Sequence, residues 1–149
     1  MKISTRVEYG IIALLDIAIN SENGKAVSIA GISERQNISA KYLEQLLTAL
    51  KQAHLIRGQK GSRGGYILAR SSSDISFDEI INALDITILS DSQFDGSTDI
   101  SLFKSTINNC LWNKMNSFLR NFAKKITLAE VSEQCKLANG DGSEYMYYI

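Results

Sequence analysis

A mainly α-helical fold with one small β-hairpin is predicted, on three observations. Residues 38–54 repeat apolar positions with helical spacing, and Leu43, Leu46, Leu47 and Leu50 form the stripe. Two short strand-like runs follow, Leu55 to Gln59 and Tyr66 to Ala69, around the basic, glycine-rich Lys60-Gly61-Ser62-Arg63-Gly64-Gly65. From about Ile100, apolar residues recur every three to four positions to Ile126. Together these predict a winged helix-turn-helix carrying a long helix that acts as a dimerisation arm.

The first helix is expected to open at a Thr5–Glu8 capping box and to bury Val7, Ile11, Leu14, Leu15 and Ala18. Ser28 can cap a second, short helix, SIAGISERQ; Asn37 makes the turn; Ser39 caps a third helix running to about His54. After the hairpin, a Ser76–Glu79 capping box opens SFDEIINALD, whose Ile80, Ile81 and Leu84 pack back on the preceding unit. Asp85 to Asp99 is polar and poorly periodic, a loop or linker.

The long helix then aligns Phe103, Ile107, Leu111, Met115, Phe118 and Phe122. A stripe of about 26 residues is roughly 40 Å long, more than so small a domain can cover, so a second copy is the expected partner. A Thr127–Glu130 box begins a final short helix, and ANGDGSEYMYYI reads as a flexible tail. The units are thus 1–85 (DNA-binding domain), 86–99 (loop), 100–138 (dimerisation helix and short following helix) and 139–149 (tail).

Charge separates the halves. Residues 1–70 hold ten Lys and Arg against five Asp and Glu, a net +5, and residues 71–149 hold six against eleven, a net −5. A cationic half around a helix and hairpin is the footprint of phosphate binding. Without an apolar run long enough to span a bilayer, and without the apolar stretch of a signal peptide, the chain is expected in the cytoplasm. Its two cysteines, Cys110 and Cys135, are then expected as thiols, either packed or redox-sensing. A single histidine excludes most His-based acid–base pairs and two-histidine metal sites, and no phosphate loop follows the hairpin glycines. No enzyme activity, metal or cofactor is predicted.

The opening MKISTRVEYG, the segment ISERQNISAKYLEQLL, the wing KGSRGGYIL and Leu111-Trp112 ahead of ITLAEV resemble the Rrf-two family of winged-helix regulators, over essentially the whole chain. The resemblance implies a homodimer on a palindromic DNA operator, with the third helix in the major groove and the wing at the minor groove. Side-chain chemistry agrees. Ser39, Lys41 and Tyr42 begin the third helix, where phosphates are met. Glu44 can accept from cytosine N4, and Gln45 can pair with adenine. Lys60, Ser62, Arg63 and Gly64 form the wing tip, suited to phosphates or a narrow minor groove. Two alternatives stay open: Tyr42 faces DNA or packs, and Glu44 reads a base or is merely solvated.

Many family members hold an iron–sulfur cluster through three cysteines before the long helix. This chain has none between Asp85 and Thr106, and Thr106 stands where the third ligand is expected. No cluster is predicted. The tail EYMYYI, by contrast, resembles the end of the family's cysteine-metabolism repressors, which act with cysteine synthase. That resemblance implies a repressor of sulfur metabolism whose Tyr145, Met146, Tyr147, Tyr148 and Ile149 either dock in cysteine synthase, as an apolar residue with a terminal carboxylate can, or pack on the dimer. The alternative function is a protein-interaction module whose DNA binding is modulated by that enzyme.

Overall fold

Serine side chains set most of the helix starts. In the computed structural model, which describes residues 2–91 and 101–147 and side chains as far as Gly140, Ser4, Ser28, Ser39, Ser76 and Ser101 each sit in extended backbone and accept from an N–H of the first turn. Each satisfies one of the donors that a helix N-terminus leaves unpaired. They open α1 (Thr5–Asn20), α2 (Ile29–Gln36), α3 (Ala40–Gln52), α4 (Phe77–Leu84) and α5 (Leu102–Ile107). The cap of α1 is thus Ser4, not Thr5: Ser4 Oγ accepts from Val7 N–H, and Thr5 is the first helical residue.

The Ser76–Glu79 box is complete in both directions, and Arg70 adds an ion pair to Glu79 at 2.6 Å. The Arg70 guanidinium, with the Ser76 donors behind it, holds the Glu79 carboxyl below its ordinary range.

The turn between α2 and α3 passes through Asn37 at φ 54°, a left-handed conformation that asparagine tolerates. At the end of α3, His54 takes φ 58° where glycine is customary, and Leu55 N–H returns to the Leu50 carbonyl. The chain thus turns directly into the hairpin, β1 (Ile56–Gln59) and β2 (Gly65–Leu68), antiparallel with Ile56 opposite Leu68 and Gln59 opposite Gly65. Val27 adds a third rung, exchanging both backbone hydrogen bonds with Tyr66 at 2.9 Å. Gly65 is required there: a Cβ on it would lie 2.4 Å from the Val27 carbonyl oxygen.

One core serves the domain. Leu14 and Ile17 of α1, Ile32 of α2, Leu43, Leu46, Leu47 and Leu50 of α3, and Ile80 of α4 are fully buried together. Two further side chains join it, one from the segment just before α4 and one from beyond the long helix. Ile75 and Leu128 are fully buried, and Leu128 N–H donates to the Ile75 carbonyl at 2.8 Å. The chain therefore leaves the domain along its long helix and is anchored again on return.

The long helix is α5, a π turn (Asn108–Trp112) and α6 (Asn113–Lys125), with helical backbone angles across both junctions. Polar side chains of α6 fasten it to the domain. Asn116 donates to the Ser90 carbonyl, and Arg120 donates to the Leu89 carbonyl and faces Asp78 of α4. Residues 86–91 of the expected linker are therefore engaged, with Leu89 buried; 92–99 lie outside the described residues.

The final helix is longer than expected. α7 spans Leu128–Tyr147, so helical backbone replaces the short helix and Gly/Asp leash read from the sequence. Leu128 anchors its first turn in the core, Thr127 Oγ1 accepts from Glu130 N–H, and the backbone ladder carries on through Gly140 and Gly142 despite a cost of about 1 kcal/mol for each glycine. The side chains of Tyr145, Met146 and Tyr147, and all of Tyr148 and Ile149, lie outside the described part.

Candidate nucleic-acid interface

The outward face of α3 follows from its inward one. With four leucines buried at helical spacing, Lys41, Glu44, Gln45, Thr48 and Lys51 fall on the opposite side and are all exposed. Successive gaps of three, one, three and three residues keep these side chains in one strip along the helix. Thr48 Oγ1 donates to the Glu44 carbonyl at 2.6 Å, which turns its methyl outward from that bond. The strip thus offers two cations, an acid, an amide and a methyl-bearing side chain, the groups that meet phosphates, cytosine, adenine and thymine.

Ser39 and Tyr42 play other parts. Ser39 Oγ is engaged as the cap of α3, accepting from Tyr42 N–H at 3.2 Å. The Tyr42 ring is half-buried and packs edge-on against Tyr9, with centroids 6.1 Å apart at 77°. Of the two alternatives for Tyr42, packing is the one the structure displays for its ring.

The wing tip is fully presented. Lys60, Ser62 and Arg63 are exposed, and Gly64 closes the loop by donating to the Gly61 carbonyl at 3.0 Å. A Cβ on Gly64 would come within 2.7 Å of the Gln59 carbonyl oxygen, so the loop can close this tightly only around glycine. Lys51 links the two halves of the surface: its ammonium lies 3.9 Å from where a Cβ on Gly58 of β1 would stand. Arg57 is exposed on the same strand. Thr48, Lys51 and Arg57 were missing from the sequence reading. The periodicity that located the buried leucines would have located Thr48 and Lys51.

Behind the surface is a polar clamp that sequence patterning missed. Asp16 of α1, 3% exposed, accepts from Arg35 Nε and Nη2 at 2.9 and 2.7 Å and from Gln36 Nε2 at 2.8 Å. The hydrogen bond to Asp16 raises the Arg35 guanidinium above its ordinary range, so it stays charged. This two-pronged pair locks α2 onto α1 and so sets the platform from which α3 projects.

Phe103, Ile107, Leu111, Met115, Phe118 and Phe122 are all exposed, Phe103 at 80% and Phe118 at 73%. Phe122 also lines a cavity with Phe77 and Ile81 of α4, so that end of the stripe borders the domain.

A winged helix-turn-helix with a basic, exposed recognition strip defines a DNA-binding transcription regulator. The chain belongs to the Rrf2 family, whose model, described as an iron-dependent transcriptional regulator, matches residues 3–134. Relatives agree in kind. The HTH-type transcriptional regulator IscR of Klebsiella pneumoniae is 32% identical over 147 residues, covering 99% of this chain and 89% of that protein. Among solved structures, IscR of T. potens is similar with a TM-score of 0.72 and 34% identity, over 93% of this chain and 90% of that one. CymR of B. subtilis, described as its global cysteine regulator, is similar with a TM-score of 0.73 and 25% identity, over 90% and 98%. These relatives are named regulators, not enzymes. Among the described residues, no helix is long and apolar enough to cross a membrane.

Proposed function

We propose that the protein is a homodimeric, cytoplasmic transcriptional repressor that reads a palindromic operator through two copies of α3. The observation that carries this reading is the continuous surface of α3 and wing, joined through Lys51. Phosphate contacts from Lys41, Lys51, Lys60 and Arg63 supply affinity, and Glu44, Gln45 and Thr48 supply base preference. The exposed stripe of the long helix supports the dimer, and a two-fold dimer supports the palindrome.

The experiment is DNA titration over a range of salt, on a site obtained by selection with the purified protein. Replacing Lys60 and Arg63 with alanine removes two phosphate partners per subunit and four per dimer. The slope of log affinity against log salt is expected to fall by about 3.6, with weaker binding to every sequence tested. An unchanged slope with unchanged affinity removes the wing from the interface.

The family description raises an iron cofactor, and the residues do not fit an iron–sulfur cluster. Cys110 is exposed on the π turn of the long helix, and Cys135 is half-buried on α7, lining a cavity beside Asp16 and Arg35. Cluster binding takes about four ligands, mostly thiolates. Among the described residues, no three His, Cys, Asp or Glu side chains converge on a metal-sized site. Thr106, at the position of a family ligand, is an exposed residue whose hydroxyl donates to the Leu102 carbonyl at 2.7 Å. The repressor is therefore read as working without a cluster.

The finer reading, control of sulfur metabolism with cysteine synthase as partner, is supported by the similarity to the B. subtilis cysteine regulator and by the EYMYYI segment. Deleting Tyr148 and Ile149 is expected to abolish co-elution with cysteine synthase and to spare DNA binding by the free protein. Co-elution that survives the deletion removes this reading.

A further inference from the structure

Thr48 is the member of the α3 strip that carries neither a charge nor an amide. It is exposed, four residues beyond Glu44 and three beyond Gln45. At the α-helical rise it stands about 4.5 Å along the axis from Gln45, and bases stack about 3.4 Å apart along a strand. A helix that sets Gln45 on one base therefore brings Thr48 to the edge of the next base or the one after. Lys51 follows on the same side and closes the strip toward the wing.

The state of the hydroxyl decides what Thr48 can read. Its Oγ1 donates to the Glu44 carbonyl at 2.6 Å. A hydroxyl has one hydrogen, and here it is committed within the helix, so Thr48 has no donor for the acceptors that guanine, adenine and thymine present in the major groove. Two groups remain: the Cγ2 methyl, and a lone pair that can accept from adenine N6 or cytosine N4. The methyl is favoured on two grounds. The bond to the Glu44 carbonyl fixes χ1, so the methyl is held in one place instead of being averaged over rotamers. Glu44 and Gln45 already supply acceptors on longer side chains, whereas neither they nor the two lysines end in a methyl. Ala40, four residues before Glu44, also exposes a methyl, but it has no bond beyond Cβ to carry that group outward.

We propose that Thr48 selects a pyrimidine carrying a C5 methyl group, thymine or 5-methylcytosine, in each half of the operator. That methyl projects into the major groove, where an apolar group can cover it. Contact between two methyl groups removes both from water. Uracil matches thymine, and cytosine matches 5-methylcytosine, at every hydrogen-bonding atom; each lacks only this contact. The assignment rests on the proposed role of α3 as the base-reading helix, and the experiment separates the failure of one from the failure of the other.

The test is titration of the full chain with its selected site, replacing each thymine in turn by uracil. One thymine per half-site is expected to weaken binding about fourfold on conversion, the worth of one buried methyl, and about sixteenfold when both halves are converted. It should lie within about two base pairs of the position whose preference relaxes in Gln45→Ala. With cytosine at that position, methylation at C5 is expected to strengthen binding by a similar factor. Thr48→Ser keeps the hydroxyl and removes only the methyl, and is expected to bind thymine and uracil sites alike. Thr48→Val keeps the methyl and is expected to retain the discrimination. Uracil tolerated at every position, a uracil penalty unchanged in Thr48→Ser, or discrimination lost in Thr48→Val would each overturn the assignment. All three are read on DNA that the native protein binds, so they leave the role of α3 standing. Failure to select any site would remove that role and this assignment with it.

Discussion

Replacing Met115 and Phe118 with glutamate is expected to turn the protein into a folded monomer with weak DNA binding. Both side chains are exposed in the single chain, Phe118 at 73%, so neither replacement disturbs the core. In the proposed dimer each is buried twice, once per copy. Losing those apolar contacts and desolvating four carboxylates weakens association by about 4 kcal/mol or more, roughly a thousandfold in dissociation constant. Sedimentation velocity reads the change directly, and thermal melting checks that the monomer is folded. A variant that still sediments as a dimer would remove the stripe from the interface.

In that proposed dimer, the stripe also sets how the two copies would lie. Phe103, Ile107, Leu111, Met115, Phe118 and Phe122 are spaced nearly the same in either direction along the chain. In a two-fold contact, residue i meets j and j meets i. An antiparallel pair of long helices would set Phe103 against Phe122, Ile107 against Phe118 and Leu111 against Met115. The π turn makes such a straight seam attainable. From Phe103 to Phe122 a regular α-helix would overshoot five turns by about one residue. The π turn at Asn108–Trp112 takes up an extra residue and returns Phe122 to the line of Phe103.

Features governed by neighbours in sequence were legible before the structure. Ser28, Ser39 and the Ser76–Glu79 box announce helices because a cap acts within three residues, and the four leucines of α3 announce a core by their spacing. The wing was readable because Gly64 and Gly65 sit where backbone approaches too closely for a Cβ. What was missed depends on distant partners. Val27 joins the hairpin only because folding brings Tyr66 to it. The choice of Ser4 over Thr5 turns on one residue's backbone angles. The extent of α7 was hidden by Gly140 and Gly142, whose low helix propensity marks a likelier tail in sequence than in the fold. Thr48 and Lys51 were overlooked at the interface although their spacing was visible; Arg57 and Lys51 acquire meaning only once wing and helix adjoin.

Asp16 is the clearest case of a residue that local pattern cannot read, and its partner gives the largest expected loss of stability. Arg35→Ala leaves a carboxylate at 3% exposure with Gln36 as its remaining side-chain donor. Stripping one partner from a buried ion pair costs about 3–5 kcal/mol. The outer part of Arg35 reaches solvent, at 43% side-chain exposure, so some water can follow into the gap and the lower end, about 3 kcal/mol, is expected. Equilibrium urea unfolding measures it. The double replacement Asp16→Leu/Arg35→Leu is expected to recover much of the loss, because an apolar pair needs no compensating charge. It should nevertheless bind DNA less well than the native protein. A leucine pair imposes no fixed angle between α1 and α2, whereas the two-pronged Arg35–Asp16 contact does. An Arg35→Ala variant that loses less than about 1 kcal/mol, or a double variant less stable than it, would show that the clamp is not what holds the platform. A stable double variant with native DNA affinity would leave the clamp a role in stability and none in aiming α3.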